Sequence, residues 1–262
     1  MFERNIYDSY GLFCEERFFI GDYEAFQAEG RSFLLLPKEE LFIFEHDMLT
    51  MIDYLHSVGD ETVLKPLMTS RGDYVSTIDG QSVYVCTLPS LDERETRTVD
   101  LYDITSIASE LASLHQNGKL VLGHQRETEF FGKWPYLWEA RVDQLEEWYE
   151  QLLQEGPKSD VDEAFLFTFP YFLGLAENAI QYVVDATLDV FDYDVPTICH
   201  RRFHDRTWLV LSERGHYAKR PTEFVYDHPC RDLAEWIRAH KDELDSVKTF
   251  LHVYEQYEKL ST

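Results

Sequence analysis

Apolar residues follow two rhythms along this chain, and the change between them falls near residue 90. Phe18 to Ala28 and Ser32 to Leu36 have strand composition, with Gly30-Arg31 as the turn between them. Glu40 to Val58 then places Leu41, Phe44, Met48, Met51, Ile52 and Leu55 on a helical stripe that stops at Gly59. Further strands are predicted at Thr62 to Met68, Tyr74 to Thr77 and Ser82 to Leu88. Asp79-Gly80 between the last two marks a tight hairpin.

Helical spacing dominates afterwards. Asp92-Glu93-Arg94-Glu95 forms a charged joint. Thr98 is a candidate cap for a helix reaching His115, with Leu101, Ile104, Ala108, Leu111 and Leu114 on one face. A second helix is predicted over Trp138 to Gln154, broken by Gly156-Pro157-Lys158-Ser159, and a third over about Tyr171 to Leu188. A small antiparallel sheet with one helix, followed by a larger helical half, predicts an α+β fold with segregated lobes. The N-lobe is expected over 1–90 and the C-lobe over 91–262, with the boundary near Pro89 to Arg94.

Composition narrows the function classes. With 262 residues, 44% hydrophobic and 15% aromatic, the chain can bury enough apolar area to fold. Its 49 Asp and Glu against 24 Lys and Arg give a net charge of −25. Such a surface repels phosphate backbones and anionic lipid heads, which argues against nucleic-acid and membrane partners. Residues Met1 to Tyr10 lack the basic and apolar regions of a secretion signal, and no apolar run reaches the ~20 residues that cross a bilayer. Cys14, Cys86, Cys199 and Cys230 are widely spaced without a CxxC pair, which predicts reduced thiols in a cytoplasmic protein.

The chemistry is concentrated in PTICHRRFHDRTWLVLSERGHYAKRPTEFVYDHPCRDLAEWIR, from Pro196 to Arg238. His200, Trp208 to Ser212, Glu213-Arg214-Gly215, Pro229 and Asp232-Leu233-Ala234 are the residues that carry a resemblance, in which they match the loop His, the following strand, the hairpin turn and the closing segment of a family motif. This stretch resembles the aminoglycoside-phosphotransferase-like kinases, and more narrowly the spore-coat kinase-like proteins of the CotS and YutH type. The narrower resemblance is strongest in VYDHPCRDLAEWIR. It implies a two-lobed protein-kinase-like fold. Active members carry an HxDxxxxN catalytic loop, a β-hairpin, a metal-binding Asp and a P-x-x-DLA segment. The resemblance also implies that His200 is architectural, and that Asp232 fixes the loop through backbone N–H groups or through His200. Relatives of this type continue with further apolar helices, whereas this sequence ends at Leu260-Ser261-Thr262. The C-lobe is therefore expected to be naturally short or truncated.

Departures from the motif decide the functional expectation. Phosphoryl transfer needs an Asp to orient the acceptor and oxygen ligands for the phosphate-bridging metal. Counted from His200, the catalytic Asp position holds Arg202 and the metal-ligating Asn position holds Thr207. The family spacing of about twelve residues before the DLA Asp puts the second metal ligand at Arg220. Guanidinium groups stay cationic and cannot ligate Mg²⁺. In addition, Phe33-Leu34-Leu35-Leu36 has no phosphate-pairing Lys, Lys38 lies just beyond it, and no glycine-rich loop precedes it. These residues predict a pseudokinase with no catalytic residues, no metal and no cofactor. By resemblance it is a spore-coat binding or scaffold protein, with other coat proteins as partners.

Two rival readings of the same residues stay open. Asp205 or Asp227 can stand in for the lost carboxylates in an active small-molecule kinase with a rearranged site. Asp227 also reads as an ordinary turn residue before Pro229. Cys199, His200, His204 and Asp205 are competent zinc ligands, but nothing completes a second cluster and the segment reads as a loop. Between His200 and Arg220 six basic residues face two acidic ones. Arg202, Arg206, Lys219 and Arg220 are thus candidates for binding an anion or a nucleotide without metal, or for an internal salt-bridge network.

Overall fold

The computed structural model describes residues 1–89, 103–121, 129–156, 158–189, 195–204, 206–211 and 217–260. The chain clusters into two compact units, Met1–Glu129 with Val195–Thr262, and Phe130–Asp194. The lobe boundary expected near Pro89 to Arg94, and the Thr98 cap, fall largely or wholly outside the described residues.

In the first unit α1 (Phe2–Tyr10) precedes the strands β1 (Glu16–Ile20), β2 (Tyr23–Ala28) and β3 (Arg31–Pro37). After α2 (Glu45–Ser57) come β4 (Lys65–Pro66), β5 (Val75–Ile78) and β6 (Gln81–Thr87). All pair antiparallel in the order β1-β2-β3-β6-β4, with β5 also on β6. The predicted strand Phe18 to Ala28 is two strands, because the chain reverses at Gly21, where φ is 58°. The β5–β6 hairpin turns at Asp79 and Gly80, both at positive φ, as a tight two-residue turn requires.

Strand alternation gives the sheet two faces. Phe26, Phe33, Leu35, Val83 and Val85 point to one, where Phe2 and Ile6 of α1 cover them. Leu34, Leu36 and Tyr84 occupy the other, and the Tyr84 hydroxyl donates to Glu45 of α2 at 2.8 Å. Met48, Met51, Ile52 and Leu55 form the buried side of α2. Helix α1 was not foreseen, since Phe2 and Ile6 are its only buried residues in a polar segment.

The remainder of this unit is α3 (Ile104–Gly118), β7 (Thr197–His200), β8 (Trp208–Val210), β9 (Tyr217–Lys219) and β10 (Phe224–Asp227). Helices α6 (Cys230–Ala239) and α7 (Leu244–Tyr257) complete it. Strand β7 pairs with β10 and β8 with β9, both antiparallel. Asp103 caps α3 by accepting from the Thr105 and Ser106 amides. The helix then meets β7 at Gly118, where an added Cβ would collide with Thr197 Oγ1 and the Ile198 amide nitrogen. The Thr197 hydroxyl donates to the His115 carbonyl at 2.5 Å in the same contact. Gly118→Ala is expected to cost about 1–3 kcal/mol in urea unfolding, as overpacking against fixed backbone does.

The second unit is a helical hairpin of α4 (Trp134–Gln154) and α5 (Asp160–Asp189). Phe165 stacks on Trp148 with centroids 4.3 Å apart, and Phe169 packs on Tyr149 at 5.2 Å. Both helices start earlier than periodicity predicts, and α5 runs through Pro170, an exposed residue. Trp134 and Trp138 stack on each other and stay partly exposed. No described helix is long and apolar enough to cross a membrane.

Candidate functional site

The apolar run Thr-Ile-Cys-His of β7 and the run Phe-Val-Tyr-Asp of β10 are buried at every position, which fixes the base from which the loop at 201–207 leaves. His200 lies opposite Phe224 at one end of this pair, and Asp227 lies opposite Thr197 at the other. The first turn of α6 delivers Asp232 beneath His200.

Asp232 is fully buried and its carboxylate accepts from three groups. The His200 amide donates at 2.9 and 3.1 Å to its two oxygens, His200 Nδ1 lies at 2.8 Å from Oδ2, and His115 Nε2 at 3.2 Å. Trp208 Nε1–H donates to His200 Nε2 at 3.0 Å, so the His200 proton sits on Nδ1. The Tyr254 hydroxyl lies 2.6 Å from His115 Nδ1, which leaves the His115 proton on Nε2, facing Asp232. Burial would raise the Asp232 carboxyl, but the pull of His200 and hydrogen bonds from both histidines bring it down to about 2. Burial outweighs Asp232 at His115 and lowers that imidazole. Each donor has one acceptor, so the network holds the loop base in a single arrangement.

Thr207 closes the loop. Its hydroxyl donates to the Arg202 carbonyl at 3.1 Å and accepts from the His204 amide at 2.9 Å, and its own amide donates to the His204 carbonyl at 2.9 Å. Arg202 and Arg206 are exposed, and Asp205 lies outside the described residues. Arg220 turns toward the first sheet. Its NH1 donates to the Tyr23 hydroxyl, Glu40 Oε2 lies 3.7 Å away, and Nε donates to the Thr207 carbonyl at 3.3 Å. Tyr23 donates in turn to Glu40 at 3.0 Å. Burial pushes the Tyr23 phenol up to about 12 against the pull of Arg220, so it remains a donor.

Lys219 corrects the anion-binding expectation. Its side chain is wholly buried, with Nζ 2.6 Å from both Asp60 Oδ2 and Glu110 Oε1. The amide of Lys219 donates to the Thr62 carbonyl and its carbonyl accepts from the Leu64 amide, so the α2–β4 connection runs alongside β9. An ammonium enclosed by two carboxylates has no face left for a soluble anion. The candidate set Arg202, Arg206, Lys219 and Arg220 is therefore not one open patch: two members are exposed and two face carboxylates.

Among the described residues the rival ligands are not brought together, and Asp205, which belongs to both rival readings, lies outside them. Asp227 is buried, with Arg231 Nε at 2.5 Å from one oxygen and the His228 amide at 2.7 Å from the other. His204 is exposed, while Cys199 is buried in β7. A different trio, His115, Cys199 and Asp232, brings ligand-capable atoms within 4.8 Å of one another. Burial pushes the Cys199 thiol up, and Sγ donates to the Asp227 and His228 carbonyls at 3.6 and 3.4 Å. With both His115 nitrogens also engaged, the trio acts as a hydrogen-bonded core. All four cysteines are free thiols.

Residues 3–262 match the family described as "Spore coat putative kinase YutH". The chain belongs to that family. The endospore coat-associated protein YutH of Bacillus subtilis is 31% identical over 271 aligned positions, covering all of this chain and 76% of the relative. Among solved structures, spectinomycin phosphotransferase APH(9)-Ia, in complex with ADP and spectinomycin, superposes with a TM-score of 0.63 at 14% identity. That match covers 99% of this chain and 79% of the other. An aminoglycoside phosphotransferase from Alicyclobacillus acidocaldarius gives 0.64 at 12%, covering 94% and 74%. Choline kinase LicA from Streptococcus pneumoniae gives 0.51 at 16%, covering 99% and 80%. The fold of this YutH-family chain is thus the α+β fold of the aminoglycoside-phosphotransferase-like kinases.

Asp60, Glu110, Tyr23 and Glu40 were not singled out from the sequence. Glu110 carried a usable signal: it lies three residues after Ile107 and four before Leu114, on the apolar stripe of α3. A carboxylate there requires a cation. Nothing local marked Asp60, Tyr23 or Glu40.

Proposed function

We propose that this protein is a pseudokinase, a coat-associated binding or scaffold protein that keeps the kinase-like fold and transfers no phosphoryl group. The observation that carries this reading is Arg220. At the position where active members hold a metal-ligating Asp, this chain has a guanidinium joined to Tyr23 and Glu40. Magnesium needs hard anionic oxygens at that point, and a fixed cation repels it. Arg202 and Thr207 extend the argument to the acceptor-orienting Asp and the metal-ligating Asn. Thr207 has both its hydroxyl and its carbonyl engaged within the loop and by Arg220. Coat association is carried over from the name of the B. subtilis relative, and other coat proteins are the partners proposed.

A small-molecule kinase with a rearranged site is the alternative. Asp227 supports it poorly, because its carboxylate is buried against Arg231 at the end of β10 remote from His200. The test is ATP turnover with Mg²⁺ over hydroxylated and aminated acceptors, with a thermal shift alongside. We expect turnover at background and an unfolding midpoint that Mg²⁺-ATP leaves unchanged, since a ligand stabilises only a state it binds. Magnesium-dependent turnover that disappears in Asp205→Ala would sink the pseudokinase reading. Any anion drawn to exposed Arg202 and Arg206 should bind without metal and weaken as salt rises.

A further inference from the structure

Helix α5 has two apolar faces, and one of them packs on α4 within its own unit. Phe165 and Phe169 pack on α4, and Ile180 is buried on the same side. At 100° per residue, Phe167, Tyr171, Leu175 and Tyr182 point roughly the opposite way. Their spacing of four, four and seven residues keeps them on one side of the helix. They are 87%, 68%, 48% and 77% exposed. A surface helix normally carries one apolar stripe, and a helix apolar on two opposite sides is one that is covered on both. A run of large exposed side chains of this kind marks an interaction surface.

Charge identifies what covers it. Helix α5 contains six acidic residues and no Lys or Arg. Asp160 and Glu163 flank the stripe at its start and Asp185 near its end, on the same side of the helix. The whole unit Phe130–Asp194 carries fourteen acidic residues against three basic ones. A second copy of this chain, at net charge −25, would bring the same acids to the contact, and an anionic lipid surface would be repelled. We propose that the outer face of α5 is the docking surface for a helical segment of a partner protein, one with an apolar stripe flanked by Lys and Arg. Aromatic anchors would supply the affinity, and the acidic flanks would select the partner and speed encounter. The surface lies outside the unit that holds Arg220, so it stands whether or not that unit turns over ATP.

The full-length protein is titrated calorimetrically with a synthetic amphipathic peptide about five helical turns long, Leu on one stripe and Lys elsewhere. A matched peptide carries Glu in place of Lys. The Lys peptide should bind one-to-one, and the Glu peptide should not bind. Phe167→Ala/Tyr171→Ala leaves the charge unchanged and should weaken binding about tenfold or more. Asp160→Asn/Glu163→Gln/Asp185→Asn should weaken it and flatten its salt dependence. Circular dichroism checks that each variant keeps its helices. Leu175→Ala/Tyr182→Ala replaces the first variant if that one loses helix. Equal affinity for both peptides, or binding that survives in the aromatic variants, overturns the proposal. Sedimentation that shows a dimer dissolved by Phe167→Ala/Tyr171→Ala assigns the face to a second copy and overturns it as well.

Discussion

Asp232→Ala is expected to lower the unfolding midpoint by roughly 10 °C, the equivalent of about 3–5 kcal/mol in a domain of this size. The carboxylate is fully buried and receives the His200 amide, the His200 ring and the His115 ring. Alanine would leave three buried donors without an acceptor, and no water-filled space replaces them at no cost. Asp232→Asn tests the charge separately, since it keeps the shape but turns an N–H toward other N–H groups. The sign with pH follows from the direction of each shift. An Asp held at about 2 in the fold, against about 3.9 in the unfolded chain, contributes stability above about pH 4 and loses it as pH falls toward 2. The stability gap between wild type and Asp232→Asn should therefore narrow over that window. His115 acts earlier: its lowered pKa keeps it neutral in the fold, so stability falls as pH drops below about 6.5. An unchanged midpoint in Asp232→Ala, read by calorimetry, would show that the carboxylate does not hold the loop base.

What could be read from the sequence, and what could not, divides by the range of the interaction. Helix α2 and the Asp79-Gly80 hairpin depend on local periodicity and on φ preferences that residue types encode directly. The sequence predicts α5 from about Tyr171, whereas the helix starts at Asp160 and runs through Pro170. A proline on the exposed side of a thirty-residue helix is tolerated when the helix is held by packing on α4. The His200–Asp232 pairing became legible only through the spacing of a known motif, since thirty-two residues separate its members. Lys219 shows the opposite limit. Counted along the chain it belongs to a cluster with local excess positive charge, yet its counter-ions come from 109 and 159 positions away. A charge count over neighbouring residues cannot register partners that only the fold brings together. The same limit hid Tyr23 and Glu40, which meet Arg220 from the far end of the sequence.

Lys219→Met should destabilise the protein by at least about 3–5 kcal/mol, the range seen when one member of a buried ion cluster is removed. Burial opposes the ammonium, but Asp60 and Glu110 outweigh it and hold Lys219 above the ordinary lysine range. At Asp60 and Glu110 burial is likewise overcome, chiefly by Lys219, and both carboxyls sit below their usual values. Methionine fills most of the volume and packs between Trp208 and Tyr217, whose rings lie 5.5 and 5.4 Å from the ammonium, so the loss is electrostatic. Two buried carboxylates left facing each other must take up protons, which raises their pKa values above those of the unfolded chain. In wild type these carboxylates stabilise the fold above about pH 4 and lose that contribution in acid; in Lys219→Met the sign reverses, and the stability gap to wild type, in which the His115 contribution cancels, should narrow as pH falls from 7 toward 5. Adding Asp60→Asn and Glu110→Gln to Lys219→Met should recover much of the loss and remove the reversed pH trend. Urea unfolding of wild type and the two variants at pH 5 and 7 reads both effects. A gap between wild type and Lys219→Met that is no smaller at pH 5 than at pH 7 would mean that solvent reaches the two carboxylates, and that Lys219 is not what binds the α2–β4 connection to α3 and β9.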